Sequence, residues 1–428
     1  MSVTQARQRE ITLLIKRGRL DSAEQLCQAE LLQHPTDPHV WYYLGAVQSM
    51  GTRSNEALRS LKVAVSHAGQ DEPLLLRIAQ AMLRMRAYAP ALAIFERMSS
   101  ANPQVIFGQA RCRWGLGQYN ASLQQFAGLW EARPEWPELC LAYARALISV
   151  DQPEPAGTLL QQILQTHPRE AQLVHQYTTW VLSQQGTKAA YDWLTERKAD
   201  YDSPRLSLLR RALSSLHRQQ PPAAISLADS RLQSHWDSFS VMMAMPGAVT
   251  WTGDNTASLK QAMAAAPANG LIVECGVYHG RSLRLLAQWS GRECHGFDSF
   301  QGLPEDWNES EPAGSYSTAG HQPQMPDNVT LHAGWFEESL PEFAAQLQEK
   351  IALLHVDCDL YSSTVTVLEH LMPHMAENGV IVFDDFAGYP EWRDHEYLAW
   401  RQYEKAHNIS AELITAVLLG RSAAFRLK

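Results

Sequence analysis

The 428-residue chain has no run of 18 apolar residues, no C-x-x-C pair and no excess of basic charge. The first absence excludes a membrane-spanning helix, which needs about 20 predominantly apolar residues. The second leaves six cysteines, at 27, 112, 140, 275, 294 and 358, too far apart for a zinc site or a disulfide framework. A reducing compartment is the one they suit. The third is a balance of 36 Lys and Arg against 45 Asp and Glu, net −9, which gives no basic face for nucleic acid. The opening MSVTQARQRE carries no apolar stretch of a signal peptide. A cytoplasmic protein that binds neither membrane nor nucleic acid is therefore expected. Tryptophan, by contrast, is plentiful at 13 copies, several of them near Gly and Pro in the carboxy-terminal half, where they line a pocket or pack. The length calls for two or three domains.

The first half repeats itself. Small residues recur at Ala23, Ala57, Ala91, Ser122, Ala156, Ala190 and Ala224, in steps of 34, 34, 31, 34, 34 and 34. Four residues after each stand Cys27, Leu61, Phe95, Phe126, Leu160, Leu194 and Ala228. Twelve residues after the first six come the turn-formers Pro35, Gly69, Pro103, Pro134, Pro168 and Asp202. Each unit reads as a helical hairpin. The small residue lets two helices approach, the larger one fills the gap beside it, and proline stops the second helix. A single hairpin cannot bury its apolar face, so neighbours stack into an all-α solenoid. Trp41-x-x-Leu44-Gly45 and Gly117-Gln118-Tyr119 lie upstream of Ala57 and Ser122. The whole resembles the tetratricopeptide repeat and sets a first domain at 1–236. The resemblance implies a groove that holds a peptide, a protein partner or a second copy; the competing reading is a spacer.

From residue 237 the pattern alternates strand and helix, as in a doubly wound, Rossmann-like α/β domain with ligands at the carboxyl ends of its strands. Strands are expected at Leu271–Val273, Cys294–Phe297, Val329–Ala333, Ile351–Val356 and Val380–Phe383, with a helix from Leu283 to Trp289. Another helix, carrying Val365, Leu368, Leu371 and Met375, lies between the last two strands. Glu412–Leu419 and Ala423–Leu427 form a closing antiparallel hairpin. Two strand ends are acidic: Asp357-Cys358-Asp359, and Asp384-Asp385. On neighbouring strands these lie about 5 Å apart. Two like charges at ~4 Å cost roughly 1 kcal/mol in water and ~4 at an intermediate dielectric. The cluster therefore binds a divalent cation or keeps one acid protonated, unless these are solvated loop acids. Oxygen-only ligands favour Mg, Mn or Ca.

The turn Glu274-Cys275-Gly276-Val277-Tyr278-His279-Gly280-Arg281-Ser282 joins a strand to a helix. Gly276 and Gly280 permit close backbone approach. Glu274 repels a pyrophosphate and suits an ammonium group, while Asp298 ends the next strand, where a carboxylate accepts from ribose hydroxyls. S-adenosylmethionine fits this better than a dinucleotide.

Glu274-x-Gly276-x-x-x-Gly280-x-Ser282, Phe297-Asp298-Ser299-Phe300-x-Gly302-Leu303-Pro304, Asp357-x-Asp359-Leu360-Tyr361-x-Ser363-Thr364 and Asp384-Asp385-Phe386 follow in order. This set resembles the macrocin/mycinamicin O-methyltransferases, class I enzymes acting on sugar hydroxyls of natural products. The resemblance implies S-adenosylmethionine held by Glu274, Gly276, Tyr278, Gly280, Ser282, Asp298 and Ser299. It also implies a divalent metal, usually magnesium, held by Asp357 or Asp359 with Asp384 and Asp385. Asp359 is left open as metal ligand or base, and His395, in Trp392-Arg393-Asp394-His395-Glu396, is the histidine expected nearest the reaction. Glu305–Asp327 and Phe386–Trp392 are the segments that would shape acceptor choice. The function expected is a metal-dependent O-methyltransferase for a sugar hydroxyl of a glycan or glycosylated metabolite. The alternative is a repeat-based binding protein with an inactive or sensor methyltransferase domain.

Overall fold

Small side chains govern where helices meet in the first half. The computed structural model describes residues 5–51, 53–99, 101–197, 203–308 and 311–428; Asp202, the sixth turn-former, lies outside them. By contacts the chain forms two compact units. One is Met1–Pro134 with Asn308–Pro312, the other Glu135–Trp307 with Ala313–Lys428.

The first unit holds α1 (Gln5–Lys16), α2 (Leu20–Gln33), α3 (Pro38–Met50), α4 (Ser54–His67), α5 (Glu72–Arg84), α6 (Tyr88–Phe95), α7 (Pro103–Gly115) and α8 (Tyr119–Ala132). Ala23, Ala57, Ala91 and Ser122 are fully buried. A methyl group built on Gly45 would fall 2.7 Å from Leu61 Cγ, and one on Gly108 within 2.3 Å of the Phe95 ring. The residue four after the small one thus fills the space left by a glycine of a neighbouring helix. Asp37, Asp71 and Asn102 cap α3, α5 and α7 by accepting from backbone N–H groups, each worth about 1 kcal/mol. The early fourth recurrence coincides with α6, 8 residues long where α2, α4 and α8 have 14. Pro103 accordingly does not stop α6, which has ended at Phe95; it opens α7, where its missing N–H costs nothing.

The second unit continues with α9 (Pro137–Ser149), α10 (Pro153–Thr166), α11 (Ala171–Glu196, broken at Gly186), α12 (Pro204–Arg218) and α13 (Ser230–Met243). Ala156 and Ala190 are fully buried as expected. Ala224 is exposed and outside any helix, so the seventh unit lacks its second helix. Residues 221–227, which begin with Pro221-Pro222, are in neither helix nor strand. Trp236 Nε1 donates to Ala223 O (2.9 Å), and Leu227 N donates to Gln233 Oε1 (2.7 Å).

The same unit contains β1 (Thr250–Thr252), α14 (Asn255–Ala265), β2 (Leu271–Cys275), α15 (Arg281–Ser290), β3 (Cys294–Asp298), β4 (Val329–Ala333) and α16 (Phe336–Gln346). β5 (Ile351–Val356), α17 (Tyr361–Leu371), β6 (Met375–Phe383), α18 (Glu396–His407), β7 (Ala411–Val417) and β8 (Ala423–Leu427) complete it. The strands form one sheet in the order β1-β7-β8-β6-β5-β2-β3-β4, parallel except for β8, which is antiparallel to both β6 and β7. β5 and the last half of β6 are buried throughout, as continuous apolar runs require when helices cover both faces. Met375 opens β6 rather than closing α17, which ends at Leu371 and passes into a 3-10 turn, Met372–His374, that contains Pro373. No helix among the described residues is long and apolar enough to cross a membrane.

Candidate active site

Parallel register carries the two acid clusters to one edge of the sheet. Cys275 pairs with Val356, and Val356 with Phe383. Gly276, Asp357 and Asp384 therefore follow side by side. Asp357 N donates to Cys275 O and Asp384 N to Val356 O, both at 2.9 Å. One oxygen each of Asp357, Asp359 and Asp385 lies within 4.8 Å of the others. Asp359 exposes 9% of its surface and Asp385 7%. Asp359 also takes a left-handed backbone, φ +64°, which costs of order 1–3 kcal/mol in a non-glycine residue.

The acids form one wall of a cavity of about 270 Å³. Gly276 and Tyr278 of the β2–α15 turn, Asp298 and Ser299 after β3, and Gly334, Trp335 and Phe336 after β4 line the rest, with Tyr316. Gly276 is required by the backbone: its φ is +96°, and a Cβ would sit 1.7 Å from the carbonyl oxygen of Asp357. Gly280 (φ +68°) is the N-cap of α15 and packs against Met325; it does not line the cavity. Asp298 shapes the turn. Its Oδ2 accepts from the backbone N–H groups of Val277 (2.8 Å) and Tyr278 (2.7 Å), and its Oδ1 from that of Phe300 (2.6 Å). Ser299 Oγ donates to Gly302 O (3.3 Å).

Three further expected site residues do not line the cavity. Glu274 is fully buried, and its Oε2 lies 2.8 Å from Nδ1 of buried His355. Burial lowers the affinity of His355 for a proton, but the hydrogen bond and charge of Glu274 outweigh it and raise the imidazole to about 9. Neither residue of this buried pair lines the cavity. Ser282 is buried in the first turn of α15. His395 stands beside the rings of Trp307 and Tyr389, with burial holding its pKa down. Phe386, Tyr389 and Trp392 are all buried, so the aromatic segment after Asp385 packs.

Burial, then repulsion from Asp384, raises Asp357 well above the carboxylate range; burial and Asp385 do the same to Asp359. Burial raises Asp385 too, opposed by the Arg421 guanidinium, whose Nη1 donates to Asp385 Oδ1 at 2.6 Å. Asp384 lines the same cavity but is not one of the three acids whose oxygens meet; it accepts from Asn255 Nδ2 at 2.9 Å. Two residues that sequence reasoning missed complete the setting. Glu396 is fully buried; its Oε2 accepts from the Asp385 N–H (3.1 Å), and its Oε1 has no hydrogen-bond partner. Arg421 arrives because β8 lies antiparallel to β6, Phe383 opposite Ala423. With three carboxylates against that one guanidinium, the ionised cluster keeps two uncompensated negative charges. Buried oxygens of this kind and number fit a hard divalent cation.

The fold is a mostly parallel α/β sheet with an acidic, glycine-flanked cavity at the carboxyl ends of its strands. Residues 273–386 match the family described as a methyltransferase domain, and residues 113–176 match the tetratricopeptide repeat. The chain is 29% identical over 158 residues to the 8-demethyl-8-(2,3-dimethoxy-alpha-L-rhamnosyl)-tetracenomycin-C 4'-O-methyltransferase of Streptomyces olivaceus, covering 31% of this chain and 59% of that protein. It is 26% identical to the mycinamicin III 3''-O-methyltransferase of Micromonospora griseorubida, covering 34% and 64%. It is 29% identical to the demethyldecarbamoylnovobiocin O-methyltransferase of Streptomyces niveus, covering 34% and 62%. The match thus spans about three fifths of the length of these relatives. Both resemblances read from the motifs, repeat and methyltransferase, are present.

Proposed function

We propose that the protein is an S-adenosylmethionine-dependent O-methyltransferase that acts on a sugar hydroxyl of a glycan or glycosylated metabolite. A divalent cation is held by Asp357, Asp359 and Asp385. The repeats bind a protein or peptide partner or a second copy. The observation that carries this reading is the meeting of those three carboxylates opposite the glycine turn. The name of one relative supports the acceptor class, since it prints a rhamnosyl group and a 4'-O position. Six free, buried cysteines suit the cytoplasm.

The sulfonium donor supplies an activated methyl group, so the cofactor carries the hard chemistry. A divalent cation, when bound, lowers the pKa of an acceptor hydroxyl and orients it. The chain's own residues align the partners. Gly276 leaves room beside the Asp357 carbonyl, Asp298 fixes the turn that carries Tyr278, and Trp335 and Phe336 give the cavity its apolar wall. Asp359 either completes the shell of the cation or takes the hydroxyl proton.

The test is transfer of labelled methyl from S-adenosylmethionine to a panel of glycosylated acceptors, with and without chelator. Asp357→Asn with Asp385→Asn should abolish both magnesium binding and turnover. Full turnover in excess chelator would remove the cation from the reaction, and no donor binding at millimolar concentration would remove the activity.

A further inference from the structure

A second cavity, of about 460 Å³, lies in the same compact unit. Arg145 of α9, Arg205 of α12 and Arg281 at the start of α15 line it together with His175 of α11. Among the described residues none of these arginines has an ion-pair partner. Arg145 Nε donates to Gln176 Oε1 (2.7 Å) and Arg205 Nε donates to His175 Nε2 (3.1 Å). Those bonds orient both guanidinium groups and leave their terminal nitrogens for another acceptor. Arg281 spends one N–H on Ser149 O (3.2 Å). His175 accepts from Arg205 and is therefore neutral. Asp254 is the one carboxylate lining the cavity among the described residues. It is already engaged: Oδ2 accepts from Ser183 Oγ (2.7 Å) and Oδ1 from Ala257 N (2.8 Å). Three arginines against one carboxylate leave an excess of positive charge in the concavity that an anion would relieve, and oriented guanidinium forks match phosphate oxygens.

We propose that this cavity binds the phosphate or diphosphate group of a small molecule. The site is distinct from the methyltransferase cavity and does not rest on the methyl-transfer reading. The two are nevertheless adjacent. Asn255 lines the arginine cavity, and its side-chain amide donates to Asp384 in the other. An ester held by the arginines thus lies one side chain away from the acid cluster.

Calorimetry on the full chain, without methyl donor, tests this with inorganic pyrophosphate and, in parallel, a nucleoside diphosphate sugar. Saturable one-site binding of at least one is expected. Arg145→Gln and Arg205→Gln should each weaken it about ten-fold or more, and the double variant should abolish it. The exposed Lys62→Gln should leave it unchanged. Arg145→Lys, which keeps the charge but loses the fork, should weaken binding several-fold, and circular dichroism confirms that each variant is folded. Tighter binding of the sugar ester marks the anion as part of a larger ligand; tighter binding of pyrophosphate marks a free anion; either supports the site. Absence of saturable binding at millimolar concentration, or undiminished binding by the double glutamine variant, overturns it.

Discussion

Glu274 fits the motif and also has a buried partner in His355. The motif places it at the cofactor; the fold buries it against His355. Removing one partner of a buried ion pair costs about 3–5 kcal/mol, because the other charge is left uncompensated. Glu274→Gln is therefore expected to lower the unfolding midpoint strongly. Donor affinity, measured on the folded variant at low temperature, should change less than about three-fold. A large loss of donor affinity with unchanged stability would return Glu274 to the cofactor. His175 and His235 make a second argument at this scale. Burial, with the charge of Arg205, holds them down to about 3 and about 4, whereas unfolded histidines titrate near 6.5. Between those values the unfolded chain binds more protons, so stability falls as pH drops through the window from about 7 to about 4. Each contributes up to about 2 kcal/mol of the loss by pH 5. Urea midpoints at pH 7 and pH 5 should therefore converge in His175→Gln with His235→Gln; a profile as steep as that of the parent rejects the account.

At the scale of elements, the β2–α15 turn separates two glycines that the motif treats alike. A Cβ on Gly276 meets a backbone oxygen at 1.7 Å, while one on Gly280 meets the sulfur of Met325, the end of a flexible side chain, at 2.7 Å. Gly276→Ala should destabilise by more than about 3 kcal/mol and abolish donor binding. Gly280→Ala should cost about 1 kcal/mol and spare binding; thermal melts with and without donor distinguish them. The strands were legible because burial on both faces writes them as unbroken apolar runs, and β5 has the predicted limits. Three residues of β1 leave no such trace. The repeat showed its period but not the loss of a helix at Pro221-Pro222, since Ala224 alone resembles its counterparts. The acids at strand ends were legible for the same reason as the strands. Arg421 and Glu396 were not, because only the insertion of β8 and the packing of α18 bring them to Asp385. Trp335 and Phe336 had a usable signal: they follow directly on a strand that was expected, at the end where doubly wound sheets bind ligands.

At the scale of the molecule, the change of sequence pattern and the division by contacts fall at different places. The pattern turns from repeat to α/β near residue 236, whereas the compact unit containing the sheet begins at Glu135. Named contacts explain the difference. Ser183 Oγ donates to Asp254 Oδ2 and accepts from Gly253 N at 2.8 Å. A Cβ on Gly253 would lie 2.0 Å from Thr179 O, so that α11 and the turn between β1 and α14 touch backbone to backbone. Asp151 accepts from Lys260 Nζ (2.6 Å) and from Trp289 Nε1 (2.9 Å). A fragment of residues 237–428 would lose every one of these contacts and expose the apolar surface beneath them, at about 25 cal/mol per Å². A fragment of residues 135–428 would keep them. The longer fragment is therefore expected to unfold cooperatively and to match the full chain in its affinity for S-adenosylmethionine under the proposed function, while the shorter one melts at least several degrees lower or aggregates. Equal melting temperatures for the two fragments would show that α9–α12 contribute nothing to the α/β domain. The repeats would then serve only their own ligand, as in the reading that makes the chain a binding protein.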